Sequence, residues 1–253
     1  MTFSVIIPTL NEEKNIRKCI RSIRLADANA EIIVVDGGSV DATRDIVVEE
    51  DTSLCTSVRG RGMQLNRGAA SARGEILIFL HADTLMSPNA FDVFRRIFSN
   101  PTVDIGTCRL QFDTKHPLLR LYSFCARLDS VFTTFGDQCI VVRRLFFEGM
   151  GGFPDWPLFE DVVLLQNARM RSRIYSLPTT VVTSARAFVR NGIVRQQLRN
   201  AGFLARYLMG VSPHRLAAIY AQNGNRIFLG GEQIIHKPIE RSKPLCEHSI
   251  EWR

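Results

Sequence analysis

A chain of 253 residues, 45% hydrophobic and 23% charged, can bury a substantial core, which sets it apart from disordered and fibrous sequences. No run reaches the ~18 to 20 apolar residues of a membrane-spanning helix, and the apolar start at 3–10 has no basic segment before it, so a soluble chain without a cleaved leader is expected. The net charge of +7 is uneven: residues 1–90 carry 10 basic and 12 acidic groups, residues 91–253 carry 22 and 13, and residues 162–231 hold ten arginines and no acid.

The first half alternates strand and helix signals as a parallel α/β sheet does. Residues 3–8 read as a strand, and Asn11 begins a helix whose Ile16, Cys19, Ile20 and Ile23 recur at helical spacing. Residues 31–36 form a second, buried strand ending in Gly37-Gly38-Ser39, followed by a helix over 41–49. A weak third strand at 54–58 leads through Gly60-Arg61-Gly62 into a helix to Ala72. Residues 75–80 give the strongest strand signal and stop on His81-Ala82-Asp83, after which Ser87-Pro88 starts another helix.

Beyond Asn100, residues 103–112 and 135–142 read as strands around a helix at 117–131. A turn-rich stretch from Gly149 to Pro154 precedes Glu160-Asp161 and a helix to Arg171, and residues 192–220 have an amphipathic helical pattern. Periodicity fades past Asn223. The expected organisation is one domain over 1–222, with halves near 1–100 and 101–222, and a C-terminal extension at 223–253. Six cysteines without a CxxC pair, several in apolar runs, favour buried free thiols and a reducing, cytoplasmic compartment.

In an open parallel sheet, ligands bind beyond the carboxyl ends of the strands. Here those ends carry Pro8-Thr9-Leu10-Asn11-Glu12, Asp36-Gly37-Gly38-Ser39 and His81-Ala82-Asp83-Thr84, and the strand at 135–142 opens with Gly136-Asp137-Gln138. Any one of these is compatible with a helix cap. In this order they resemble the successive motifs of family-2 glycosyltransferases: Val5-Ile6-Ile7-Pro8-Thr9-Leu10-Asn11-Glu12, Ile33-Val34-Val35-Asp36-Gly37-Gly38-Ser39, Phe79-Leu80-His81-Ala82-Asp83 and Glu160-Asp161. Arg59-Gly60-Arg61-Gly62-Met63-Gln64-Leu65-Asn66 together with His81-Ala82-Asp83-Thr84 resembles a short, soluble, bacterial-type subgroup, some of whose members are labelled arsenosugar-biosynthesis glycosyltransferases.

The resemblance implies a GT-A fold, a Rossmann-like, mostly parallel sheet flanked by helices, here with a basic helical C-terminal region. It implies an inverting enzyme that moves a sugar from a nucleoside diphosphate sugar, UDP-linked by preference, to an acceptor hydroxyl. The first half takes the nucleotide sugar and the second the acceptor. A divalent cation, Mg2+ or Mn2+, offsets the charge of the leaving diphosphate. Asp83 matches the second carboxylate of the family's DxD motif, whereas His81 replaces the first, so that His81 either ligates the metal or makes a structural hydrogen bond. Asp36 matches the nucleobase-binding carboxylate, and Pro8 and Thr9 lie where the family contacts the base. Glu12 is either a nucleotide contact or a first-turn helix acid. Arg61 is placed to reach the diphosphate, with Gln64 as its polar neighbour. Asp161 matches the catalytic base, and Asp137 and Glu160 are candidate acceptor or donor-sugar contacts.

The arginine-rich half suits a phosphorylated or lipid-linked acceptor and a peripheral contact with an anionic inner-membrane face; a solvated basic face bridged to the acidic first half is the alternative. A dinucleotide oxidoreductase is disfavoured because Leu65 stands at the last glycine of GxGxxG and the loop follows the third strand. A sugar nucleotidyltransferase needs a glycine-rich basic loop where this chain has Pro8-Thr9-Leu10-Asn11. The rival from another class is a non-catalytic protein binding nucleic acid or an anionic surface. Its nucleic-acid form lacks interleaved aromatics and any recognisable reading motif, so no specific nucleic acid is expected.

Overall fold

The first strand is buried along its whole length, and its side chains alternate between two cores, Val5 and Ile7 on one face and Ile6 on the other. A continuous apolar run is what a strand covered on both faces requires. In the computed structural model, which describes residues 1–131, 133 and 136–222, the strands in chain order are β1 (Phe3–Thr9), β2 (Glu31–Asp36), β3 (Ser53–Thr56), β4 (Ile76–Phe79), β5 (Thr84–Met86), β6 (Ile105–Phe112), β7 (Ile140–Arg143) and β8 (Ile174–Thr183). They form one sheet in the order β3-β2-β1-β4-β7-β6-β8-β5. Pairs β1–β2, β1–β4, β2–β3 and β6–β8 are parallel, whereas β4–β7, β6–β7 and β5–β8 are antiparallel. This is the mixed, mostly parallel α/β architecture expected of a GT-A chain.

The helices are α1 (Ile16–Ala26), α2 (Thr43–Glu49), α3 (Arg61–Ser71), α4 (Ala90–Phe98), α5 (Pro117–Cys125), α6 (Arg144–Gly149), α7 (Glu160–Arg169), α8 (Arg186–Asn191), α9 (Ile193–Leu208) and α10 (Pro213–Gln222). One core lies between the sheet and α1 and α4, where Ile16, Cys19, Ile20, Ile23, Phe91, Phe94 and Phe98 are sealed from solvent. The other lies beneath α3 and α7, with Leu65, Phe79, Phe147 and Leu164. Gly68 lets α3 settle on the sheet, because a Cβ there would meet the Ile6 side chain at 2.3 Å.

Several expectations are corrected. The first helix begins at Ile16 rather than Asn11: Asn11 has φ +54°, and the Glu12 carbonyl accepts from the N–H groups of Asn15 and Ile16 at 2.9 Å, so a turn precedes the helix. The helix expected over 117–131 stops at Cys125. The strand expected over 135–142 shrinks to Ile140–Arg143, because Gly136–Gln138 winds into a 3-10 turn and Cys139 takes φ +58°; residue 135 lies outside the described residues.

The ten-residue strand β8 has no counterpart in the sequence reading, since Pro178 argues against a sheet interior. The sheet accommodates it at a bulge: Cys108 pairs with Leu177 and Arg109 with Thr180, leaving Pro178 and Thr179 as the extra residues. β5, α6 and α8 are too short to declare a period. Residues 192–220 are helical as α9 and α10, whereas the extension at 223–253, with Cys246, lies outside the described residues. The other five cysteines are free, three of them buried, and no described helix is long and apolar enough to cross a membrane.

Candidate active site

The carboxyl ends of β1, β2 and β4 bring the candidate residues of the first half to one edge of the sheet. Thr9 is buried beside Asp36 in the register of β1 on β2, with Pro8 opposite Val35. The Asp36 carboxylate accepts from the backbone N–H groups of Gly38 and Ser39, each at 3.0 Å, and Arg44 Nε stands 4.0 Å away. Gln64 donates through Nε2 to the carbonyls of Thr9 and Val35, both at 2.8 Å, and so fastens the ends of these two strands to α3.

Glu12 and Asp83 share a cation. Arg186 reaches Glu12 Oε2 through Nη1 at 2.9 Å, pairs with Oε1 through Nη2, and lies 3.1 Å from Asp83 Oδ2. The chain delivers Arg186 by a turn after β8, where Ser184 N–H donates to the Asp83 carbonyl at 3.2 Å and Ala185 N–H donates to Asp113 Oδ1 at 2.8 Å. Burial raises the Asp83 pKa, Arg186 opposes this, and the Glu12 charge adds to it. Two carboxylates around one guanidinium make a pocket that holds a cation.

The remaining candidates meet in a cleft of about 600 Å³ between the sheet edge and α9, lined by Arg61, His81, Tyr122, Asp137 and Asp161 and overhung by Gln197, Asn200 and Leu204. α7 enters this cleft through Phe159, a non-glycine residue at φ +65° whose ring stacks on Tyr207 of α9 at 4.8 Å. Strain of that kind persists only where surrounding contacts hold it. Directly after it, Glu160 pairs with Arg61, and Asp161 Oδ1 lies 3.6 Å from Arg61 Nη2. Asp161 Oδ2 accepts from Gly136 N–H at 2.7 Å. A Cβ on Gly136 would stand 2.9 Å from that oxygen, so glycine is what permits the approach.

Burial, reinforced by the Arg61 charge, pushes the His81 imidazole down to about 3, so it is neutral with a free lone pair at ordinary pH. Burial, then the charge of Asp161, pushes Asp137 up to about 7 against the pull of Arg61. Asp137 Oδ1 is buried with no hydrogen-bond partner among the described residues. Burial works to lower the Arg61 pKa, but Glu160 and Asp161 outweigh it and keep the guanidinium charged.

The structure thus gathers Arg61, His81, Asp137 and Asp161 in the cleft, puts Glu160 behind Arg61, sets Asp83 and Glu12 around Arg186, and keeps Pro8, Thr9, Asp36 and Gln64 at the β1–β2 edge. Sequence reasoning missed Arg186, Tyr122 and Gly136. Arg186 was one of ten arginines in an acid-free stretch, and its partner Glu12 is 174 positions away. Gly136 was visible only as the neighbour of Asp137.

Known proteins share this fold and family. The chain is 30% identical over 112 residues to an uncharacterized glycosyltransferase, alr2836, of Nostoc sp., covering 41% of this chain and 34% of that protein. It spans about a third of the length of the curated relatives it matches. Among solved structures, residues 1–349 of TarS from S. aureus in complex with UDP-GlcNAc superpose with a TM-score of 0.59 at 21% identity, over 73% of this chain and 58% of that one. The mannosyltransferase PcManGT from Pyrobaculum calidifontis, in complex with GDP-Man and Mn2+, superposes with a TM-score of 0.59 at 23% identity, over 87% of this chain and 68% of that one. At such identities the superpositions speak for the fold. The profile of the family described as Glycosyl transferase family 2 matches residues 4–149, more than half of the chain, and on that ground the protein belongs to glycosyl transferase family 2.

Proposed function

We propose that this protein transfers a sugar, with inversion, from a nucleoside diphosphate sugar to an acceptor hydroxyl, with Asp161 as the base. The observation that carries this reading is the setting of Asp161: it lines the cleft, its Oδ2 is held by Gly136 N–H at 2.7 Å, and Arg61 stands 3.6 Å from its Oδ1. A carboxylate oriented in this way can take the proton of an acceptor hydroxyl as the anomeric bond breaks on the opposite face. Arg61 is the cation paired with Asp161 among the described residues and suits the diphosphate, with Glu160 orienting its guanidinium. The orphaned Asp137 Oδ1 is an acceptor for a sugar or acceptor hydroxyl.

The donor reading is uridine-linked, with Asp36 accepting from a ring N–H of the base and Thr9 and Pro8 beside it. TarS binding UDP-GlcNAc supports it, whereas PcManGT binding GDP-Man marks the competing guanine choice.

Among the described residues no cluster of three His, Cys, Asp or Glu side chains could hold a metal ion alone. Asp83 nonetheless fits one: its carboxylate is largely enclosed, has Glu12 as a negative neighbour, and already draws a cation in Arg186 at 3.1 Å. Asp83 would hold Mg2+ or Mn2+ with diphosphate and water oxygens completing its shell, as suits a cation bound through one carboxylate. When bound, the cation offsets charge on the leaving diphosphate. His81, two residues earlier, lines the cleft with Arg61 and Asp161 and is the second candidate ligand.

Thermal stabilisation by UDP and by GDP, each with and without Mn2+, tests the donor and metal together. Metal-dependent stabilisation by UDP alone is expected, and stabilisation by GDP alone would overturn the uridine choice. A product that retains the donor's anomeric configuration would overturn inversion.

A further inference from the structure

Beside the catalytic cleft, between α5 and α9, lies a second hollow of about 350 Å³ with largely apolar walls, and Tyr122 and Gln197 line both. Around it α5, the turn that follows, and α9 expose Leu118, Leu121, Phe124, Leu128, Val194 and Leu198, from 45% for Leu118 to 70% for Leu198. A single exposed leucine is ordinary, but six large apolar side chains on adjoining elements form a patch that calls for a partner.

These elements carry Arg120, Arg127 and Arg195, and α8 just before α9 adds Arg190, all exposed and in no ion pair among the described residues. Arg127 lies 5.7 Å from the Phe124 ring, which places positive charge directly on the apolar face. Residues 162–231 contribute no acid, and nearby Asp129 is engaged by Arg169.

We infer that this face docks on an anionic membrane surface. The leucines, Val194 and Phe124 enter the acyl boundary, the arginines meet lipid phosphates, and the mouth of the cleft is held at the bilayer. Charge decides the occupant. A second copy seated here by twofold symmetry would bring its own arginines against these. A soluble partner that is only acidic answers the arginines and leaves the apolar side chains in water. An anionic bilayer answers both. The docking itself does not depend on the transfer reaction; only the consequence that acceptors are taken at the membrane surface rests on the proposed function.

The test is flotation of the full chain with vesicles of phosphatidylcholine alone and of phosphatidylcholine with phosphatidylglycerol, at low and high salt. Enrichment on the phosphatidylglycerol vesicles, weakened by salt, is expected. At about fivefold for each arginine removed, Arg190→Gln with Arg195→Gln should lower partitioning about 25-fold. Leu121→Ser with Leu198→Ser should also lower it about tenfold. Both double variants should keep the parent's melting temperature and nucleotide stabilisation, so that lost binding is not lost fold.

No enrichment on anionic vesicles overturns the inference, as does equal binding to neutral ones or binding undiminished in both variants. A parent dimer that the leucine variant dissociates, without vesicle binding, assigns the face to a second copy and overturns it too. Nucleotide stabilisation is read separately, so vesicle binding can fail while the transferase reading stands, and the reverse.

Discussion

The β1–β2 edge and the cleft beneath α9 hold their carboxylates in opposite ways. Asp36 is bonded by its own loop, through N–H groups two and three residues ahead. Asp161 is held by Gly136, 25 positions earlier, and by Arg61, a hundred positions earlier, while Asp137 beside it keeps a buried oxygen with no partner among the described residues. A group satisfied by its own loop is positioned as soon as the strand forms. A group satisfied from afar depends on the finished fold, and an unsatisfied one costs stability until a ligand arrives. Under the proposed function, the first region is a stable donor platform and the second the place where chemistry is done.

The largest expected effect tests that division directly. Asp161→Asn should lower kcat by ~10²- to 10⁴-fold, the range for removing a general base, and leave nucleotide binding nearly intact. Single-turnover transfer measured beside nucleotide affinity checks it, and normal turnover would remove Asp161 from the role. On the donor side, Asp83→Asn should weaken metal-dependent nucleotide binding by at least roughly 10- to 100-fold, the loss seen when only a group supporting a metal ligand is removed. Equal affinity with and without Mn2+ in the parent protein would contradict the metal assignment.

Legibility followed the strands. β1, β2 and β4 announce themselves because both of their faces are buried, and the residues that end them sit at fixed offsets from the apolar runs. Asp36 and Asp83 were therefore visible as candidates before any geometry was known. β8 was not, because Pro178 and Thr179 break its alternation, and the bulge that absorbs them is a property of its pairing with β6. Arg186 follows directly from β8, so missing the strand also hid the residue. The turn at Gly136 is hidden in the sequence because residues 140–142 are apolar enough to extend the strand pattern backwards, and only the approach of Asp161 explains why glycine is there.

Arg186 is where the two halves of the chain meet, since it comes from the second and neutralises carboxylates of the first. Arg186→Ala leaves Glu12 and Asp83 facing each other without a cation, and with the arginine side chain 47% exposed the expected cost is about 1–3 kcal/mol. A drop of several degrees in Tm without metal is expected, narrowing when Mn2+ and nucleotide are added, because the metal then supplies the missing charge. An equal deficit under both conditions would mean that metal and Arg186 do not answer the same carboxylates.

The smallest effect concerns Asp137. Its carboxyl is held at about 7 in the fold, against about 3.9 in an unfolded chain. Between roughly pH 4 and 7 the folded protein therefore binds more protons than the unfolded one, and this group makes stability fall as pH rises through that window. Below the window both states are protonated and the contribution is constant; above it both are ionised and the penalty is complete. Asp137→Asn removes the ionisation, so the variant should match the parent near pH 4 and exceed it above pH 7 by on the order of 1–2 kcal/mol, once relaxation and water at the cleft are discounted. Thermal melts of both proteins across this range check it, and parallel profiles would show that Asp137 ionises freely. The same proton bears on catalysis: below pH 7 Asp137 can donate to a sugar or acceptor oxygen, and above it the cleft holds a second carboxylate charge beside Asp161, which opposes binding of a diphosphate.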